Sequence, residues 1–446
     1  MVKKRLKLGV FFMLPGHHVS AWRYPGTKKE HLFNLKFLAQ QARLAEKGKL
    51  DMIFLADQLN SDDPTATGFE QTLNLMYEPF TLLGALAAVT DKIGLVATAS
   101  TTHNEPYNIA RKFASLDQLS EGRLGWNVVT SGLPLEAQNF NNQPLEHSKR
   151  YERADEFVEV VKKLWDSWEE DAIVYDQQNG VVVDASKVHT INHKGDWFSV
   201  RGPLPVPASK QHRPIIVQAG SSQSGKELAA KTAEVVFTAA QSIEDARQFY
   251  TDLKGRLAKY GRQPDDLKIM PGVFLIIGKT VEEAQRKRQQ LLDLIPEEAG
   301  LARLSAHLEF DLTGYPLDEP LPPLPPIEQV TGTRSRVELL KKVADENHFT
   351  IRQLYQHIAG ARGQRELVGT PEQIADDLQL WLETGAADGF NILPSHFPDG
   401  FQDVVKLLIP ELQRRGLFHT EYEGDTLREH LELKAPTHYY AKVPQS

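Results

Sequence analysis

Seven short apolar runs, each ending in polar residues, constrain the fold of this chain more than any other feature. Lys7–Met13 leads to Gly16, His17 and His18, and Met52–Ala56 leads to Asp57. Ile93–Ala99 leads to Ser100, Thr101, Thr102 and His103, and Leu124–Val129 leads to Thr130 and Ser131. Pro214–Ala219 leads to Gly220, Ser221 and Ser222, Val235–Ala240 to Gln241, and Phe390–Pro394 to Ser395 and His396. Lys268–Gly278 reads as a further strand. Helical stretches of ten or more residues separate most of these runs. Such alternation means a parallel sheet with crossover helices, here an α/β fold of the (β/α)8, or TIM-barrel, type. Closure gathers every polar tail at one mouth, where such barrels keep their active sites.

The chain has 446 residues, enough for one barrel domain with insertions. Two stretches interrupt the βα period: 169–213 after strand four and 295–368 after strand seven. The second contains YPLDEPLPPLPP (315–326), which proline keeps out of helices and central strands and which reads as a surface strap. Its length and position predict a lid over the mouth and a wall of the substrate pocket. The helices are expected over Glu30–Lys47, Glu78–Val89, Asn108–Leu119 and Arg150–Trp168. The polar tail 416–446 is expected to wrap a neighbouring surface.

Acidic residues number 59 against 51 basic ones, well mixed along the chain, which argues against a nucleic-acid partner. No run approaches the ~20 apolar residues of a membrane span. The opening MVKKRLKLGVFFML reads as a first strand: its apolar run is short, and Pro15 and two histidines follow it. The absence of cysteine excludes disulfides, thiol nucleophiles and cysteine-bound metals, and fits a cytoplasmic protein.

GSSQSGK (220–226) approaches a phosphate-binding P-loop, but Glu227 stands where a hydroxyl residue would hold Mg²⁺. What remains is a small-residue helix N-terminus able to bind a phosphate or simply to be capped. Asp57, at the end of an apolar strand, is either a cap or a functional carboxylate at the mouth. His17, His18, His103, His147 and His396 follow strands or lie near the mouth. They lack the spacing of a metal motif, so no metal site is expected, and one or two suit acid–base or cofactor contacts. Neither a G-x-S-x-G elbow nor a G-x-G-x-x-G turn is present, which argues against a serine hydrolase and a Rossmann dinucleotide site.

Longer blocks carry a resemblance. AWRYP (21–25), AEKGKLDMIFLAD (45–57), EPYNIARKFASLDQLSEGRLGWNVVTS (105–131), HSKRYERADEF (147–157), INHKGDWFSVRGPL (191–204), PIIVQAGSSQSG (214–225) and DGFNILP (388–394) occur in order. In these the chain resembles the bacterial luciferase-like flavin monooxygenases, in the group of nitrilotriacetate, dibenzothiophene-sulfone and long-chain alkane monooxygenases. The resemblance implies a barrel that takes FMN as FMNH2 from a separate NAD(P)H:FMN oxidoreductase and uses O2 to oxygenate a small organic substrate. It implies flavin contacts from Asp57, Thr98 and Asn127, and phosphate contacts from His147, Tyr151, Ser221 and Ser222. His17 would lie by the flavin's reactive face as the catalytic residue. Met13, Leu14, Met76, Gly132 and Leu133 would shape the substrate pocket. Gly132 stands where the alkane enzyme carries histidine, which weighs against an alkane-type substrate. A homodimer or homotetramer is also implied. The alternatives are a deazaflavin-dependent oxidoreductase on the same fold and a non-catalytic flavin-binding protein.

Overall fold

The computed structural model describes residues 4–73, 75–140, 145–327 and 334–440. Its parallel strands are β1 (Lys7–Phe11), β2 (Met52–Leu55), β3 (Gly94–Ser100), β4 (Leu124–Val129), β5 (Ile215–Ala219), β6 (Val235–Thr238), β7 (Lys268–Ile277) and β8 (Gly389–Pro394). They neighbour one another in the order β6-β5-β4-β3-β2-β1-β8-β7, and pairing of β6 with β7 closes an eight-stranded barrel. Nearly every strand residue is buried, as a sheet covered on both faces requires. Inside, Phe11, Met52, Phe54, Val96, Val217 and Phe274 fill the barrel. Outside, helices pack through residues such as Leu83, Phe113, Phe157 and Leu378.

Helix starts follow the caps rather than the apolar stripe. The first helix begins at Leu35, not Glu30, because Asn34 accepts the Phe37 N–H at 3.0 Å and Phe33 takes a left-handed φ of 51°. Lys29–His31 is a separate 3₁₀ turn. Glu78 is likewise a cap, and its helix runs Pro79–Ala87. The other two expected helices run Pro106–Leu119 and His147–Trp165.

The interruption 169–213 forms two small hairpins, Ile173–Asp176 with Val181–Val183 and His193–Lys194 with Ser199–Val200. Glu156, on the His147–Trp165 helix, tethers the second by accepting the N–H groups of Trp197 at 3.0 Å and Phe198 at 2.9 Å. The interruption 295–368 carries helices Glu297–Leu308, Arg334–Asn347 and Ile351–Ala361 around a core of its own that includes Leu304, Leu308, Leu340 and Leu354. Leu317, Leu321 and Leu324 of the proline-rich run lie half-buried on that core. Ile351 N–H donates to the Glu319 carbonyl at 2.9 Å, which fastens the strap down.

That segment also holds a strand the apolar pattern did not reveal, Arg365–Gly369. Its RELVG sequence opens with two charges, so it lacks the apolar signature of the others. It pairs with Val273–Ile277 of β7, beyond the point where β6 ends opposite Pro271. The insertion therefore continues the barrel wall at the mouth. At the opposite end, Leu427, Leu431 and Leu433 of the tail pack against the barrel interior as its floor. The tail thus covers its own barrel.

Candidate active site

At the mouth, three strands are linked by a relay with only one consistent polarity. Thr98 Oγ1 donates to the Leu55 carbonyl at 2.7 Å, which uses its only hydrogen. It must then accept from Asn127 Nδ2, 2.9 Å away. Asn127 is 4 % exposed, and its Oδ1 is buried without a partner among the described residues. An orphaned buried acceptor is costly unless a ligand N–H meets it.

Asn127 pairs in register with Val217 of β5, and the turn after β5 holds the next polar group. There Ser222 caps the Gln223–Thr232 helix, its Oγ accepting the Gly225 N–H at 3.0 Å. The same Oγ lies 3.5 Å from the Tyr151 hydroxyl. A Cβ on Gly225 would stand 3.2 Å from that hydroxyl, so glycine keeps the space clear. Tyr151 and His147 face each other with ring centroids 4.9 Å apart, and Ser221 is exposed beside them. Two hydroxyls, a phenol and a helix N-terminus thus lie together, a donor set suited to a phosphate.

The P-loop resemblance ends at Lys226, which is drawn sideways to Asp252 at 2.5 Å. Glu227 is held by Lys259, Tyr260 and Arg256, which push it down to about 2.

Asp57 follows β2, and burial, with Glu78 and Glu136 nearby, pushes its carboxyl up to about 6. His17 is 6 % exposed and lies edge-on to Phe11 at 5.7 Å. Burial and the neighbouring Arg362 cation hold it well below the usual imidazole range, so it is neutral at pH 7. The loop that carries it is clipped to the turn after β8: His17 N–H donates to the Pro394 carbonyl at 2.9 Å, and Phe397 N–H to the Pro15 carbonyl at 2.7 Å. A Cβ on Gly16 would stand 2.4 Å from the Ser395 carbonyl oxygen, so this close approach requires glycine.

Beside His17 lies a cavity of about 200 Å³ whose lining includes Met13, His18, Trp22, Gln58, Asn60 and Arg362. It shares Met13, Leu14, Leu75 and Met76 with a smaller apolar slot of about 50 Å³. Three expected pocket residues, Met13, Leu14 and Met76, therefore meet here. Leu133 is exposed. Gly132 leaves room for Arg150, whose guanidinium nitrogen would be 1.4 Å from a Cβ there. His103 stacks on Phe140, and His396 lies 3.9 Å from the Tyr24 ring, so both are engaged in packing. Among the described residues, no group of three His, Asp or Glu is arranged to hold a metal ion.

The residue the sequence did not single out is Arg362. It is the left-handed cap of the Ile351–Ala361 helix, with φ 49°. The flanking Gly360 and Gly363 signal a tight turn, but nothing in the sequence places that turn at the mouth. Arg362 Nε donates to the His17 carbonyl at 2.8 Å.

The barrel, its insertions and this mouth define a luciferase-like monooxygenase: the chain belongs to that family, whose profile matches residues 9–388. It is 52% identical over 442 residues to N-acetyl-S-(2-succino)cysteine monooxygenase of Bacillus subtilis (strain 168), with 99% of each chain covered. It is 48% identical to nitrilotriacetate monooxygenase component A of Aminobacter aminovorans, over 98% of this chain and 99% of that one. The crystal structure of a riboflavin lyase with modified FMN and riboflavin superposes with a TM-score of 0.83 at 31% identity, covering 96% of both chains. The chain is accordingly a two-component, flavin-dependent monooxygenase acting on small organic substrates. None of its described helices is long and apolar enough to cross a membrane.

Proposed function

We propose that the flavin is FMN, taken up as FMNH2 from a separate NAD(P)H:FMN oxidoreductase, and that O2 is the co-substrate. The observation that carries this reading is the Leu55–Thr98–Asn127 relay. It ends in an acceptor that is buried and unpartnered among the described residues, on the strand next to the one that leads into the Ser221–Ser222 turn. An isoalloxazine offers a ring N–H to such an acceptor, and the ribityl phosphate of FMN suits the donor cluster at Tyr151, Ser221, Ser222 and His147. The riboflavin lyase structure with its modified FMN supports the choice of cofactor.

When bound, the reduced flavin activates O2 and supplies one oxygen atom to the substrate. The protein's part is to bind, orient and exclude water. Thr98 fixes the Asn127 amide, and the helix N-terminus after Ser222 stabilises the phosphate charge. Asp57 stands at the mouth with a raised pKa, able to hold or release a proton near neutrality. His17, neutral and buried, presents a polar edge without adding charge beside the ring. In this reading the enzyme works in the cytoplasm, alongside its reductase, as a homodimer or homotetramer.

The test is fluorescence titration with FMN and riboflavin, followed by turnover with NADH and a flavin reductase. Tight FMN binding, weaker riboflavin binding and reductase-dependent substrate oxidation are expected. Equal affinity for both flavins, or turnover without any reductase, would overturn the reading.

A further inference from the structure

Arg362 brings a guanidinium to the cavity beside His17, and no carboxylate among the described residues pairs with it. Among the described residues its hydrogen bond runs from Nε to the His17 carbonyl, at 2.8 Å. No carboxylate among the described residues forms an ion pair with it, and none lines the cavity. The charged group acting on it is another cation, Arg303 of the Glu297–Leu308 helix. Burial and that neighbour push Arg362 down to about 9, which still leaves it charged at neutral pH. A sunken cation without a counter-ion is an unfavourable arrangement unless an anion completes it.

His18 also lines this cavity. Ser20 N–H donates to His18 Nδ1 at 3.1 Å, so that nitrogen carries no proton. Burial, with Arg362 and His396, pushes His18 down to about 3, so the ring is neutral and its hydrogen sits on Nε2. His18 is 2 % exposed, and Nε2 is buried without a partner among the described residues. The cavity is therefore lined by a guanidinium with no carboxylate partner among the described residues and by an imidazole whose Nε2–H has no acceptor among them, next to the apolar slot. A neutral hydrocarbon or thioether would leave the cation without a counter-ion and the buried His18 N–H unpaired, the latter at about 1–3 kcal/mol. A carboxylate supplies a counter-ion to the first and an acceptor for the second.

We propose that this cavity is the substrate's anion pocket: Arg362 and His18 bind a carboxylate of the substrate, and the enzyme acts on small organic acids. The inference rests on the monooxygenase reading for the word substrate, but its test does not need turnover. In this arrangement the 295–368 insertion is the specificity element, because it delivers Arg362 to a mouth whose other walls belong to the barrel.

The test is isothermal titration of the FMN-loaded enzyme with succinate, nitrilotriacetate and their methyl esters. At least one acid should bind the parent enzyme at least tenfold more tightly than its ester. Arg362→Gln should remove that preference, and Arg362→Lys, which keeps the charge but not the fork, should restore part of it. His18→Phe should weaken the acid about tenfold and the ester little. FMN affinity, measured separately by fluorescence quenching, should change less than twofold in folded Arg362 variants. The proposal is overturned if no acid binds the parent, if acid and ester bind alike, or if Arg362→Gln leaves the preference intact. It is also overturned if Arg362→Gln weakens FMN as much as the acid, since Arg362 would then serve the flavin. Failure of the monooxygenase reading shows separately, as FMN that does not bind the parent enzyme or reductase-coupled assays without product.

Discussion

Replacing Thr98 with valine tests the relay with an isosteric change. The substitution keeps the β-branched shape on β3 and removes one hydroxyl. With it go a hydrogen bond to the Leu55 carbonyl and the acceptor that fixes Asn127 Nδ2. Each bond contributes about 1 kcal/mol, and a buried Asn127 NH2 left unpaired costs about 1–3 kcal/mol more. The free protein relieves that cost by turning the amide, which aims NH2 rather than Oδ1 toward the mouth. Binding a ring N–H then requires turning it back. Regaining the correct orientation costs about 1.4 kcal/mol or more, a tenfold loss of affinity. FMN fluorescence quenching should therefore show Thr98→Val weakened at least tenfold, while Thr98→Ser, which keeps the hydroxyl, stays within about threefold. Riboflavin should lose as much as FMN, because the effect acts on the ring. Equal behaviour of the valine and serine variants, or a loss confined to FMN, would refute the relay.

At the other pole, Ser221→Ala should weaken FMN about tenfold and riboflavin hardly at all, since a hydrogen bond to a charged phosphate contributes about 1.5–3 kcal/mol. Ser222→Ala should lower stability by about 1 kcal/mol in chemical denaturation, because its Oγ caps Gly225. Asp57 has a folded-state pKa raised from 3.8 to about 6, so the folded form holds its proton more tightly than the unfolded chain. Its contribution to stability is complete below pH ~4 and is lost as pH rises through ~6. Melting curves of Asp57→Asn should match the parent at pH ~4 and exceed it above pH ~6 by about 1 kcal/mol, less than the full shift because Asp57 is partly solvated. A parent more stable than the variant at high pH would contradict the raised pKa.

The barrel was legible because each strand is an apolar run that the core demands, and the polar tails mark the mouth. Where a strand is shielded differently, the signal fails: Arg365–Gly369 joins only the upper half of β7 and begins with charged residues. Caps shifted the helix starts because a single Asn34 or Glu78 side chain satisfies N–H groups that an apolar stripe cannot. Asp57 and the Ser221–Ser222 turn stood out from spacing and His147 as one of five histidines near the mouth, while Thr98, Asn127 and Tyr151 came only from resemblance. Arg362 and the orphaned N–H of His18 were illegible. Their meaning depends on the insertion folding back over the barrel, a contact between residues more than 300 positions apart in the sequence.

The insertion is fastened to the rest of the mouth by a latch that can be tested directly. Gln71, in the long loop after β2, donates through Nε2 to Glu298 at 2.7 Å and accepts the Ala299 N–H through Oε1 at 3.1 Å. One side chain thus joins the first turn of the Glu297–Leu308 helix to the loop bearing Met76, which lines the cavity. Beside it, a Cβ on Gly68 would stand 2.9 Å from Ala299 Cα, so the two segments are in close contact. The latch is partly exposed, so its loss should cost only about 1 kcal/mol, enough to raise an open population about fivefold without unfolding the barrel. Gln71→Ala should speed hydrogen exchange across Glu297–Leu308 by that factor and leave exchange in β1–β4 unchanged. An insertion that opens more often admits water to the flavin, so peroxide released per NADH should rise while FMN affinity holds. If exchange in the helix quickens but coupling of NADH to product stays at the parent's level, the insertion does not shield the flavin, and its part is confined to the wall and the Arg362 cation.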